Sequence, residues 1–158
     1  MIRPRVLLAD DHPALLKGAS ALLKPQFEVV GNVTDGETLV SEARRLRPDV
    51  IVADITLPVS SGIDIVHEMR ESGLAAKIVF LTIHSEQPFI ETCMIEGALG
   101  YVLKSHMRPH LIPAIQAVLA GRPYNCLFVP SYWGRVVSQL TLVYRFWRRV
   151  YEHGTRWT

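Results

Sequence analysis

Apolar positions along residues 1–120 alternate between short continuous runs and stripes at helical spacing. Val6-Leu7-Leu8-Ala9 is an apolar run that stops at two acids, and it predicts a buried strand. Leu15, Leu16, Ala19, Leu22 and Leu23 then recur on one helix face. Residues 27–33 are rich in β-branched side chains and predict a second strand. Gly36 to Arg47 reads as a helix with Leu39, Val40, Ala43 and Leu46 inward, stopped by Pro48. Val50-Ile51-Val52-Ala53 is a third strand, ending at Asp54. Ile63, Val66 and Met69 mark a helix that ends near Gly73. Residues 77–81 form a fourth strand, ending at Thr82, and residues 88–96 a shorter helix before Gly97. Tyr101-Val102-Leu103 is a fifth strand, ending at Lys104. Leu111, Ile112, Ile115, Val118 and Leu119 give a fifth helix, stopped by Gly121. Pro113 falls early in that helix and predicts a local kink.

Five strand–helix units in series predict an α/β fold, a parallel sheet covered on both faces. In such sheets ligands bind beyond the carboxyl ends of the strands. Those ends carry Asp10, Asp11, Asp54, Thr82 and Lys104, five polar groups closing four apolar strands. Each alone is an ordinary cap, loop or solvated residue. Together they specify a chemistry. Three carboxylates in one crevice repel, and a hard divalent cation such as Mg²⁺ relieves them. A carboxylate beside that cation can attack a phosphoryl group and carry it as an acyl phosphate. Lys104 and the Thr82 hydroxyl would neutralise and bind the phosphoryl oxygens.

The ordered set of acid pair, Asp54, Leu57-Pro58, Gly62, Thr82 and Lys104 resembles the receiver domains of two-component response regulators, the CheY-like family. The resemblance covers residues 5–120. Ala9-Asp10-Asp11-His12-Pro13 and Gly100-Tyr101-Val102-Leu103-Lys104 are most similar to the NarL/FixJ subfamily, which carries LuxR-type DNA-binding domains. The resemblance implies a five-stranded, doubly wound parallel sheet of order 2-1-3-4-5, flanked by five helices. It implies Asp54 as phosphoacceptor, served by a histidine kinase, a phosphotransfer protein or a small phosphodonor. Asp10, Asp11, Asp54 and the backbone carbonyl of Thr56 would bind Mg²⁺. Thr82 and Lys104 would contact the phosphoryl group, Thr82 and Tyr101 would form the switch, and Thr56 and His84 would tune dephosphorylation. His12 reads as a helix-start residue rather than a ligand. His84 reads either as a loop residue or as a gate on the attacking water.

Composition is informative mainly at the tail. The chain has 158 residues, 49% of them hydrophobic and 20% charged, which excludes a disordered polymer. Residues 1–120 hold 11 Lys and Arg against 14 Asp and Glu; residues 121–158 hold 6 Arg against Glu152 alone. All 3 Trp and four of the 5 Tyr lie in that basic tail. Domain limits are expected at 1–120 for the receiver, 121–132 for a linker and 133–153 for a C-terminal amphipathic helix. In the last, Val136, Leu140, Val143, Trp147 and Val150 form one apolar stripe. Three readings stay open for it: docking on its own domain or on a second copy as a homodimer, a membrane or acidic surface, or nucleic acid through Arg145, Arg148 and Arg149. The residues after 120 show no helix-turn-helix pattern.

Cys93 and Cys126 are spaced unlike metal ligands and read as reduced thiols. No signal peptide and no spanning helix are expected, since Asp10-Asp11 ends the first apolar stretch and Arg135 and Arg145 interrupt the tail. These signs point to a cytoplasmic signalling switch rather than an enzyme by role. A DNA-binding transcriptional regulator and a Mg²⁺-dependent phosphohydrolase are the alternatives.

Overall fold

The computed structural model describes residues 2–86, 88, 90, 93 and 96–127. The C-terminal helix expected over 133–153 lies outside the described residues. In chain order the elements are β1 (Arg5–Ala9), α1 (Pro13–Leu23), β2 (Glu28–Val33), α2 (Gly36–Leu46), β3 (Val50–Ala53) and α3 (Gly62–Glu71). β4 (Lys77–Thr82), β5 (Gly100–Leu103), a 3₁₀ turn (Lys104–His106), α4 (Met107–Leu119) and β6 (Tyr124–Asn125) follow. Of the helix expected over 88–96, the described Pro88, Ile90 and Cys93 are helical, and Ile90 and Cys93 are buried.

Local sequence explains the element ends. Pro13 opens α1, where its missing N–H costs nothing. Asp35 caps α2 by accepting from the Thr38 amide at 2.8 Å. Ser61 and Asp64 form a capping box at the start of α3, which fixes how the loop after β3 enters that helix. Arg47 leaves α2 in the left-handed conformation, directly before Pro48. α4 runs continuously through the exposed Pro113.

The sheet is parallel throughout, in the order β2-β1-β3-β4-β5-β6. The first five strands stand in the order the sequence resemblance implies. The sixth corrects the five-strand count: Tyr124 and Asn125 pair with Gly100 and Tyr101, in a stretch whose pattern reads as irregular. A two-residue strand after Pro123 has too few positions to show a period. Its backbone, not its side-chain pattern, makes the pairing.

Strand alternation divides the core. Val6, Leu8, Val50, Val52, Val79, Leu81 and Val102 pack against Leu16, Ala19 and Leu23 of α1 and Leu111, Ile115 and Val118 of α4. Leu7, Ile51 and Phe80 point to the opposite face. There Gly62 stands so close to β4 that an added Cβ would lie 2.7 Å from Phe80 Cε1 and 2.8 Å from Ile55 Cα. The backbone of Ile55 cannot yield. Gly62→Ala is therefore expected to destabilise the fold by about 2 kcal/mol, read as a lower urea midpoint at unchanged slope.

Candidate functional site

Asp10, Asp54, Thr82 and Lys104 close β1, β3, β4 and β5, four neighbours in the sheet, so crossover geometry gathers them at one edge. Asp10, Asp54 and Thr82 are 1%, 3% and 0% exposed. Lys104 joins the two buried acids: its Nζ lies 2.6 Å from Asp10 Oδ2 and 2.7 Å from Asp54 Oδ2. Burial alone would lower the Lys104 pKa. The hydrogen bond to Asp54 and the charges of Asp10 and Asp54 outweigh it, and the net shift is upward.

The remaining contacts orient the carboxylates. Asp54 Oδ1 accepts from the Thr56 amide at 3.2 Å and from the Thr56 hydroxyl at 3.3 Å. Asp10 Oδ1 accepts from the His12 amide at 2.8 Å. The His12 ring Nδ1 lies 3.0 Å from Asp10 Oδ1 and 2.9 Å from Asp11 Oδ1. The sequence pattern makes His12 a helix-start residue. It does occupy the N-cap position of α1, without a side-chain cap, and its ring also bridges the acid pair. Nothing in its spacing distinguishes these uses.

Thr82 Oγ1 accepts from the His84 amide at 3.3 Å rather than meeting Asp54. Tyr101 is fully buried, and its hydroxyl donates to the His84 carbonyl at 2.7 Å. Thr82, His84 and Tyr101 therefore form one connected group at the end of β4 and β5. Burial raises the Tyr101 pKa, so its hydroxyl stays a donor across the physiological range.

Asp10, Asp11 and His12 bring one ligand atom each within 4.8 Å of one another, an acid pair whose oxygens suit a hard divalent cation. The buried Asp10 Oδ2 has an ion-pair contact but no hydrogen bond of proper geometry. An open groove runs from Asp11 along the loop after β3, lined by Ile55, Leu57, Pro58, Val59 and Ile63. In that loop Val59 adopts φ 78° while 74% exposed. A β-branched residue there is strained by about 1–2 kcal/mol. Val59→Gly is expected to raise unfolding stability by about 0.5–1 kcal/mol, the relief less the entropy glycine adds to the unfolded chain. A denaturant midpoint that falls instead would show the strain to be illusory.

Residues 6–116 match the family model for the response regulator receiver domain. The transcriptional regulatory protein MctR of Rhizobium johnstonii is 34% identical over 122 residues, covering 76% of this chain and 57% of that protein. The nitrate/nitrite response regulator protein NarL of Escherichia coli is 33% identical over 118 residues, covering 73% of this chain and 55% of that protein. The chain thus spans little more than half the length of these curated relatives. The crystal structure of a LuxR-family two-component response regulator from Aurantimonas superposes with a TM-score of 0.74 at 32% identity, covering 88% of this chain and 99% of that one. No helix among the described residues is long and apolar enough to cross a membrane.

Proposed function

Because this chain belongs to the response regulator receiver family, we propose that it is a phosphorylation switch of two-component signalling, with Asp54 as the acceptor. The observation that carries this reading is the Lys104 ammonium held between the buried carboxylates of Asp10 and Asp54 at the carboxyl edge of the sheet. A carboxylate nucleophile needs no general base. One of its carboxylate oxygens attacks the donor phosphorus as the bond to the leaving group breaks; the donor imidazole or carboxylate keeps the electron pair. Lys104 neutralises the incoming charge from one side. The Thr82 hydroxyl, now paired with the His84 amide, is placed to turn to the phosphoryl oxygens, and this shifts the His84–Tyr101 contact. Thr56, whose hydroxyl donates to Asp54 Oδ1, and His84 tune hydrolysis of the acyl phosphate.

Asp10, Asp11, Asp54 and the Thr56 carbonyl would hold Mg²⁺. When bound, the ion supplies charge neutralisation for both the acid cluster and the transferred group. The phosphodonor is a histidine kinase, a phosphotransfer protein or a small acyl phosphate, in the cytoplasm. The product is an altered surface for partner contacts rather than a released chemical. Incubation with acetyl phosphate and Mg²⁺ is expected to add one phosphoryl group to the intact mass, and omission of Mg²⁺ to prevent it. No gain in folded protein would refute the switch.

A second reading concerns output. The matched relatives include proteins named as transcriptional regulators, and residues 121–158 hold 6 Arg against one acid. Direct DNA contact through Arg145, Arg148 and Arg149 would give binding that falls steeply with salt. Absence of binding at low salt removes it and leaves protein contacts, including homodimerisation, as the output.

A further inference from the structure

Without Tyr124 and Asn125, β5 would be an edge strand with unpaired backbone groups. Four contacts seal that edge. The Tyr124 amide donates to the Leu99 carbonyl at 2.9 Å, and the Cys126 amide to the Tyr101 carbonyl at 3.0 Å. The Leu103 amide donates to Cys126 Sγ at 3.2 Å. The Tyr124 hydroxyl lies 2.6 Å from His110 Nδ1 and ties the segment to α4.

One of those anchor points, Tyr101, belongs to the switch group, and another, Leu103, adjoins the lysine of the site. Tyr101 sends its hydroxyl to the His84 carbonyl on one side and its own carbonyl to the Cys126 amide on the other. Leu103 directly precedes Lys104, which bridges Asp10 and Asp54. The lysine that senses charge at Asp54 therefore directly follows a residue whose backbone amide is held by Cys126.

We propose that residues 124–126 are a strap along β5 that tightens with the phosphorylation state of Asp54. The proposal rests on phosphorylation at Asp54. A phosphoryl group gives Lys104 a further anionic acceptor and holds it more firmly. The restraint passes through Leu103 to Cys126 and tightens the strap. By linkage, a weakened strap loosens the grip of Lys104 on the site. Alternate residues of a strand aim their backbone groups at the same neighbour, so Tyr101 and Leu103 both face the strap, while Leu99 gives it only its carbonyl. The path needs no long-range wire, only one strand with partners on both edges.

The test uses the full chain, labelled with ¹⁵N, with beryllofluoride and Mg²⁺ as the phosphoryl probe and bound fluoride followed by ¹⁹F NMR. On loading, amide exchange at Leu103 and Cys126 is expected to slow about tenfold. Cys126→Ala removes the sulfur acceptor and is expected to abolish the slowing. Cys126→Ser, which keeps an acceptor, is expected to preserve it. Loading that leaves both amides unchanged within about twofold overturns the strap while the phosphorylation reading stands. The same slowing in Cys126→Ala also overturns it. Absence of loading in folded protein overturns the phosphorylation reading and the strap together.

Discussion

Asp54→Asn is expected to take up no phosphoryl group from acetyl phosphate and Mg²⁺, with a rate at least about 10³-fold below the parent chain. The amide has nearly the shape of the carboxylate, so packing around this 3% exposed residue is preserved. Its nitrogen lone pair is delocalised, and the side chain lacks the charge that a carboxylate nucleophile needs. The amide has one carbonyl oxygen, which can keep either the Lys104 contact made by Oδ2 or the Thr56 contacts made by Oδ1, but not both. Loss of uptake with an unchanged thermal midpoint would report lost chemistry rather than lost structure. Intact mass is the readout, followed by peptide mapping in the parent. Uptake that persists in Asp54→Asn would move the acceptor elsewhere and sink the assignment.

Lys104→Met is expected to cost about 3 kcal/mol of unfolding stability at neutral pH without Mg²⁺. It leaves Asp10 and Asp54 facing each other without the cation that now joins them at 2.6 and 2.7 Å. The side chains of Lys104, Asp10 and Asp54 are 13%, 2% and 4% exposed, so water does little of the screening. Methionine keeps most of the stem's volume, which separates the charge effect from packing. Saturating Mg²⁺ should restore much of it, because the ion replaces the missing charge. In the parent, the Lys104 pKa is raised on folding. Its contribution is thus complete below the unfolded lysine value of about 10.4 and is lost as pH rises through the higher folded value. Denaturant titrations with and without Mg²⁺ check both signs. A variant as stable as the parent at pH 7, and indifferent to Mg²⁺, would show that Lys104 is not the counter-charge of the acid pair.

Phosphorylation by this route would bias an element with two arrangements rather than create a new fold. Thr82, His84 and Tyr101 are already linked at the strand ends, and Tyr101 is already buried. The structure thus presents the aromatic side chain inward, with its hydroxyl satisfied.

Local features of this fold are written directly in the chain. Apolar runs ending in acids specify β1 and β3, because a strand buried on both faces must be continuous and its polar end must face water or a ligand. Helix stripes and caps place α1, α2, α3 and α4 within a few residues, because a helix start is written in neighbours three apart. Asp10, Asp54, Thr82 and Lys104 could be named as candidates for the same reason: each stands at the end of a strand that periodicity reveals. Long-range geometry came from folding alone. Only the crossovers bring Lys104 to Asp54 across 50 residues, and only the resulting geometry shows one ammonium serving two acids. The His12 ring on Asp10 and Asp11, the strained φ of Val59 and the Tyr101 bond to the His84 carbonyl follow from backbone placement, which no spacing records. β6 escaped the pattern because two residues have no period. Its pairing comes from the unsatisfied edge of β5, and an unpaired backbone group recruits any strand within reach, whatever its side chains.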